Sequence, residues 1–325
     1  MAMSTGFTGY NANIGQVENK GVEFTLGAQI VDASNFKWRA TILGSVLKNK
    51  VLQLTKTDEK GKAKEEILSG IRTIRPGFEI NTFYLAKSAG VDPATGKQLY
   101  TVYEDGGYFT ADSKTTPLFD DPVLDEDGNQ KVDENGELMF TTREANVFVT
   151  DDYSYAQAHR WYMGSRIPKL NGAINFDFEF FKSFDLSINT AYSLGGKIYE
   201  GNYRGLMEIQ YAGDNFSKDA LRRWQKPGDI TDVPRVELNG TYANNDRYLI
   251  DASYLSIKNI TFGYTLPARL ARKAGLQSAR VFATADNLYL FSHLDGMDPQ
   301  YNFSGGTDYT YTPNKTVAFG VDINF

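Results

Sequence analysis

Strict alternation of apolar and polar residues marks the end of this chain. The last nine residues carry apolar side chains at every odd position and small or polar ones at every even position. Successive side chains of a β-strand point to opposite faces, so this segment predicts a strand with one apolar and one polar face. An edge strand of a soluble sandwich can alternate too, but in an outer-membrane β-barrel the apolar face meets lipid and the polar face lines the lumen. The apolar positions are Val317, Phe319, Val321, Ile323 and the terminal Phe325.

The same alternation recurs in two predicted hairpins, over residues 22–46 and 171–194. Strands of more than ten residues exceed the usual globular length of about five or six and suit a tilted crossing of a bilayer. In the second hairpin Asp177, Glu179 and Asp185 occupy the polar positions. These acids require a solvated face, which a barrel lumen provides and a sandwich core does not.

Three further segments predict strands, at residues 78–85, 248–266 and 280–291. In the second of them the apolar positions change phase near Lys258 and Asn259, which predicts a β-bulge. Between strands lies the long segment 196–246, in which a short helix is predicted from Ser217 to Trp224. Compact domains seldom contain such long loops, whereas membrane barrels carry them on the extracellular side.

Composition narrows the class of protein. The 325 residues include 40 acidic and 34 basic side chains, which gives a net charge of -6. This charge does not favour binding to nucleic acid. The absence of cysteine excludes disulfides and thiolate metal sites. No apolar run approaches the ~20 residues of a membrane helix. Met1 to Gly6 lacks the basic and apolar regions of a signal peptide, although a protein of the outer membrane needs one.

Sequence motifs for phosphate binding, metal binding and catalysis are weak or missing. Gly90 to Lys97 has five residues between its glycines and Gln98 after the lysine, so it fits a hairpin turn better than a phosphate loop. No metal-ligand spacing includes His159 or His293, no GxSxG occurs, and the chain is predicted not to be an enzyme.

Two loops offer candidate binding residues. Asp125, Asp127 and Asn129 suggest a loose calcium site, although the glycine and glutamate positions of an EF-hand are not met. A solvated loop with Asp-Gly and Asn-Gly turns explains them better. In the long segment, Arg222, Arg223 and Trp224 suit either contact with a substrate or partner or simple packing within the loop. Apart from this possible structural calcium, no cofactor is predicted.

Stretches spread in order over most of the chain resemble the C-terminal part of the β-barrel of SusC/RagA-type TonB-dependent outer-membrane transporters. The stretches are Asn13-Ile14-Gly15, Val17 to Glu23, Gly90 to Gly96, Gly164 to Lys169, Arg223 to Asp229, Asp251 to Leu255, Lys258 to Tyr264, Asp286 to Leu288 and Phe325.

The resemblance implies an all-β protein, an incomplete portion of an antiparallel transmembrane barrel like the 22-stranded transporters with a plugged lumen. Residues 1–325 are expected to be the C-terminal portion, without the signal peptide, TonB box and plug domain. The implied parent protein lies in the outer membrane of a Gram-negative bacterium. It imports oligosaccharides or peptides with energy from TonB-ExbB-ExbD and with a SusD-like surface lipoprotein as lid.

Two alternatives are a small complete outer-membrane barrel, acting as adhesin or pore, and a secreted β-rich carbohydrate-binding protein. The transporter interpretation predicts an open, curved sheet with two unpaired edges, which would aggregate without detergent. It also predicts two opposite faces. The lipid side should hold Phe24, Leu26, Trp38, Ile42, Phe176, Phe178, Leu186, Ile188, Phe319, Val321 and Ile323, and the lumen side Glu23, Arg39, Asp177, Asp185 and Asp322.

Overall fold

The computed structural model describes residues 13, 15–54, 65–208, 213, 215–237, 243–294, 297–300 and 311–325. Met1 to Gly6 and Ile14, used above, lie outside the described residues. The strands are β1 Gly15–Ala33, β2 Phe36–Leu54, β3 Ile67–Ser69, β4 Arg72–Ile74, β5 Thr82–Leu85, β6 Lys87–Val91, β7 Gln98–Tyr103, β8 Leu118–Pro122, β9 Phe140–Glu144, β10 Val147–Thr150, β11 Trp161–Tyr162, β12 Leu170–Phe180, β13 Phe184–Leu194, β14 Lys197–Tyr199, β15 Leu249–Asp251, β16 Tyr254–Thr265, β17 Ser278–Ser292 and β18 Thr316–Asn324. The helices are α1 Tyr153–Ala158, α2 Gly201–Met207 and α3 Ala268–Lys273, with 3-10 turns at Lys218–Arg222 and Asp246–Tyr248.

The chain forms two compact units. The first comprises Met1–Asn19, Asn49–Ser165 and Tyr203–Tyr248, and the second comprises Lys20–Lys48, Arg166–Asn202 and Leu249–Phe325. Among the described residues, no helix is both long and apolar enough to cross a bilayer.

The second unit is built on a seven-stranded sheet in the order β1-β2-β12-β13-β16-β17-β18. From β2 to β18 every neighbouring pair is antiparallel. The sheet is open, and among the described residues β1 and β18 each have one sheet neighbour. Short connections, 34–35 and 181–183 among them, join strands at one end, whereas 55–169, 195–253 and 293–315 leave the other end.

The strand register confirms the predicted faces. Phe176 lies opposite both Ala40 and Ile188, while its neighbour Asp177 lies opposite Arg39 and Ser187. The apolar side chains remain accessible, with Phe319 at 84% and Leu26 at 66% exposure. Trp38 stacks on Phe178 with ring centroids 5.9 Å apart, in the same row of aromatics. The Phe176 set therefore forms an accessible apolar face instead of a sandwich core.

Several predicted boundaries change in the structure. The predicted strand 248–266 is interrupted after Asp251, because residues 252–253 separate β15 from β16. At Lys258 the pairing of β16 shifts in register both with β13 and with β17, which confirms the predicted bulge. The predicted helix at Ser217 is a single 3-10 turn whose N-cap is Ser217. The basic segment after Pro267 contains the short helix α3.

The first unit has the buried core that the large sheet lacks. Its strands form the small sheets β10-β7-β6, β11-β5-β4-β3 and β8-β9. One aromatic cluster packs Tyr103 edge-on against Phe109 and Trp161, with ring centroids 5.4 and 5.6 Å apart. A second cluster surrounds Tyr100 and Val102. These side chains are at most 5% exposed, so ordinary hydrophobic burial stabilises this unit.

Candidate functional site

The polar face of the seven-stranded sheet has an ion-pair network near the end where the short turns lie. Arg280 Nη2 lies 2.6 Å from Asp185 Oδ2, and Nη1 lies 3.6 Å from Asp322 Oδ2. The guanidinium reaches Asp185 across the intervening strand β16, where Gly263 has no side chain. A Cβ at Gly263 would lie 2.4 Å from Arg280 Nη2, so glycine is required for this contact. The network thus connects β13, β17 and β18.

A second polar cluster lies further along the same face. Asn259 Nδ2 donates hydrogen bonds of 2.7 Å to Thr284 Oγ1 and to Asp286 Oδ1. Ser187 Oγ donates to Asp177 Oδ1 at 2.8 Å. These amides, hydroxyls and carboxylates make the face a hydrogen-bonding surface, as expected for a wall that contacts water and polar solutes.

The closing strand has the geometry that its alternation predicts. Val317, Phe319, Val321 and Ile323 are between 48% and 84% exposed, and the terminal Phe325 is 83% exposed. On the polar face Phe282 covers Gly320, where an added Cβ would meet the Phe282 ring at 2.2 Å. Gly320 therefore accommodates an aromatic ring instead of leaving open space.

Gly90 to Lys97 is the predicted hairpin turn, and the long segment of the first unit packs on it. Trp224 Nε1 donates to Pro93 O at 2.9 Å, and the indole lies against Gly96. Gly96 has φ +74°, and a Cβ there would be 2.4 Å from the indole ring. Asp92 accepts hydrogen bonds from the Thr95 hydroxyl and the Ala94 N–H, which fix the turn.

The three candidate residues of this segment thus have different surroundings. Trp224 makes a packing contact within the loop, and both interpretations of this residue stay open. Arg222 is exposed, and its guanidinium lies 3.5 Å from the carboxylate of Asp232. Arg223 lines a small recess beside Arg235 and Arg247. Arg222, Arg223 and Trp224 all remain candidates for contact with a substrate or partner.

A polar cleft of about 170 Å³ lies beside the turn. Lys97 Nζ lies 2.6 Å from Asp151 Oδ2, and Arg235 Nη2 lies 2.5 Å from Glu237 Oε1. Tyr153 contributes an aromatic side chain to the lining. Because the charges are paired with each other, the cleft suits an uncharged ligand with hydrogen-bonding groups better than an ion.

In the acidic loop the carboxylate of Asp125 accepts hydrogen bonds from backbone N–H groups of its own turn. Asp125 Oδ1 accepts hydrogen bonds from the Asp127 and Asn129 N–H groups at 3.0 and 2.8 Å. Asp133 repeats the arrangement eight residues later. Within the described part of the chain, no group of three or more His, Asp or Glu side chains is placed to hold a metal ion. Loose calcium binding here stays a prediction.

A charged cluster fixes the base of this loop. Arg143 Nη1 lies 2.6 Å from Glu104 Oε1, and its Nε lies 2.6 Å from Asp121 Oδ2. The hydrogen bond from Arg143, together with that from the Asn146 N–H, lowers the pKa of Glu104 to about 2. Sequence analysis missed this cluster and the Arg280 network, because both join residues that are distant in sequence. The only local signal was a glycine inside a strand, at Gly263.

Comparisons with known proteins agree with this architecture. No family model matches the chain. TonB-dependent receptor P3 of Formosa agariphila is 29% identical over 327 residues, covering 96% of this chain and 29% of that receptor. TonB-dependent receptor SusC of Bacteroides thetaiotaomicron is 24% identical over 335 residues, covering 98% of this chain and 28% of SusC. Over nearly its whole length the chain is similar to SusC/RagA-type TonB-dependent receptors.

The solved structure of the RagAB peptide transporter shares the fold of this chain. Its TM-score is 0.74 at 22% sequence identity, and the match covers the whole of this chain and 31% of the other. The chain thus spans about three tenths of the length of the relatives it matches, and the likeness fits their C-terminal part. Those relatives are named receptors and a transporter, and none of these names is that of an enzyme.

Proposed function

We propose that this chain forms part of the barrel wall of an outer-membrane transporter that imports large nutrients, oligosaccharides or peptides. Import is driven through TonB-ExbB-ExbD, and a SusD-like surface lipoprotein closes the extracellular entrance. The observation that supports this most is the seven-stranded sheet with one continuous apolar face and one hydrogen-bonding face. A transmembrane barrel needs both, because lipid surrounds it and polar solute passes inside.

Three further features support the proposal. Connections are short at one end of the sheet and long at the other, as in barrels with short periplasmic turns and long extracellular loops. The long segments contain a polar cleft and the exposed Arg222, which provide contacts for a solute or lipoprotein. Relatives over nearly the whole chain are named TonB-dependent receptors, and one solved relative is named a peptide importer.

The test is uptake by cells that carry the full-length receptor gene. Labelled oligosaccharides and peptides of graded size are supplied separately, with and without a functional TonB. The proposal predicts TonB-dependent uptake of one class and co-purification of a surface lipoprotein with a tagged receptor. The loop variant Asp127→Ala, on an exposed turn, should transport at the parental rate. Uptake that persists without TonB would show a passive pore, and a receptor absent from outer-membrane fractions would refute the proposed location.

A further inference from the structure

Strand β10 is an exposed apolar edge of a small sheet in the first unit. That sheet runs in the order β10-β7-β6, and among the described residues β10 pairs with β7 alone. Its residues Val147, Phe148 and Val149 are 50%, 44% and 56% exposed. Proteins usually cover or charge the edges of their sheets, because an open edge accepts a further strand. An edge that is both apolar and open therefore indicates a position where another strand docks.

The register shows which main-chain groups of β10 are available. Just beyond β7, the Glu104 N–H donates to Asn146 O at 3.0 Å. Hydrogen-bonded pairs alternate along an antiparallel ladder, so Phe148 points its N–H and C=O at β7, while Val147 and Val149 point theirs outward. Among the described residues these outward groups form no hydrogen bond. The edge thus offers two N–H and two C=O groups in the arrangement that a neighbouring strand requires.

Both faces of β10 also offer apolar side chains to an added strand. Val147 and Val149 lie on one face, and Phe148 lies on the other, where its ring centroid is 5.6 Å from that of Tyr155 in α1. Cross-strand pairs of aromatic and β-branched side chains stabilise neighbouring strands. The edge therefore suits an extended segment that carries apolar, β-branched residues.

The polar cleft of about 170 Å³ adjoins the C-terminal end of β10. Asp151, the residue that follows β10, lines the cleft and pairs with Lys97 at 2.6 Å. Arg235 and Glu237 form a second ion pair in the lining. A segment that lies along β10 and continues past its end would therefore meet a polar site whose charges are already paired, which suits an uncharged amide.

We propose that β10 binds an extended peptide as an added β-strand, with an uncharged polar residue of the peptide in the adjoining cleft. The inference rests on the proposed import of large nutrients and selects peptides, because an oligosaccharide lacks the alternating N–H and C=O groups of a strand. β10 belongs to the long segment 55–169, and the long connections of barrels are extracellular, where a solute arrives. Two outward residues make few hydrogen bonds, so the peptide is released readily, as import requires, whereas a permanent partner needs a larger contact.

The test measures hydrogen exchange of the full-length receptor, purified in detergent, with and without a probe peptide. The probe is a blocked hexapeptide of alternating threonine and valine that ends in asparagine. We expect the bound probe to slow exchange of the Val147 and Val149 N–H groups at least tenfold and to leave the exposed turn 125–129 unchanged. The same peptide N-methylated at its four central residues keeps its side chains but lacks the donors, and it should give no slowing.

A matched pair of variants tests the edge from the side of the receptor. Proline is tolerated on an edge strand where its missing N–H faces outward. Val149→Pro should weaken binding of the labelled probe at least tenfold in fluorescence anisotropy, whereas Val149→Thr keeps the N–H and the branched shape and should bind like the parent. The Val102 N–H points at β10, so unchanged exchange of Val102 in Val149→Pro shows that the ladder between β7 and β10 remains.

Equal binding by the two variants, or equal binding of the N-methylated probe, would overturn strand addition. Maltoheptaose, a linear uncharged oligosaccharide, should leave exchange at β10 unchanged, and slowing by this sugar without slowing by the peptide would refute the choice of ligand. These measurements need neither TonB nor uptake. A receptor that imports a labelled solute with TonB but shows no response of β10 to the probe would therefore refute this inference and leave the transporter proposal standing.

Discussion

The closing strand β18 allows a direct test of which face meets lipid. Val321 lies on its apolar face, is 61% exposed and pairs with Val281 of β17. Ala318 lies on the opposite, polar face of the same strand, where it pairs with Thr284. Substituting arginine at each position introduces the same charge and a similar volume on opposite faces. We expect Val321→Arg to impair assembly of the full-length receptor and Ala318→Arg to be tolerated.

The size of the effect follows from depth in the bilayer. Val321 is four residues from the terminal Phe325. With a rise of about 3.3 Å per residue and a tilt of about 40°, this places it roughly 10 Å from the interface of an apolar band about 25 Å tall. The position is therefore close to the midplane, where arginine costs about 2–4 kcal/mol. That free energy corresponds to a factor of about 30 to almost 1,000 in the folding equilibrium.

Heat-modifiable gel migration of outer-membrane fractions measures the assembled barrel. The Val321→Arg receptor should show at least tenfold less of the folded, fast-migrating form than Ala318→Arg at equal synthesis. If both variants assemble at the parental level, Val321 does not face lipid. If Ala318→Arg fails as severely as Val321→Arg, the strand does not distinguish its faces, and the sheet cannot be a barrel wall.

The remaining predictions concern single residues in both units. Deleting Phe325 should reduce assembly in the same gel assay, because it removes the aromatic side chain expected at the interface. Gly263→Ala should also reduce assembly because it places a Cβ 2.4 Å from a guanidinium nitrogen, whereas Gly27→Ala, with its nearest atom at 3.7 Å, should not. Glu104→Gln should increase hydrogen exchange of the adjacent backbone at neutral pH. The pKa of Glu104 is lowered from 4.5 to about 2 in the folded chain, so the ionised carboxylate stabilises the fold fully above pH 4.5. In the parent this stabilisation should be lost only as the pH falls toward 2. Trp224→Ala should increase hydrogen exchange of the turn from Gly90 to Lys97, on which the indole packs. If this variant loses substrate binding without that increase, Trp224 belongs to the binding surface instead.

The large sheet was predictable because lipid and water impose a period of two on each strand. Residues 171–194 alternate so strictly that the hairpin, its faces and its short turn all agree with the structure. The bulge at Lys258 was visible because one extra residue reverses the phase of every later side chain. In these segments lipid or water determines whether each position is apolar or polar. The local sequence therefore contains enough information to predict the strands and their faces.

The first unit was much less predictable for the opposite reason. Its cores join residues far apart in the chain, such as Tyr103 with Trp161 and Phe78 with Tyr162. Its strands are short, most have fewer than six residues, and the alternation pattern needs longer segments to be recognised. Trp224 shows the limit clearly, because its contact with Gly96 joins two segments that no local pattern connects.

This contrast bears on what stabilises each unit. Apart from small residues, the buried apolar side chains lie mostly in the first unit, including Phe83, Tyr100 and Val102. The large sheet has few, so in water its exposed apolar face would favour association. In a bilayer the same face needs no protein partner, because lipid covers it and every backbone group within the ladder is paired inside the sheet. The edges of this sheet are the exception: among the residues that the structure describes, β1 and β18 each pair on one side only, and lipid cannot satisfy the backbone groups on the other side. A stable wall therefore requires further strands at both edges, and this requirement follows from hydrogen bonding alone, independently of any relative.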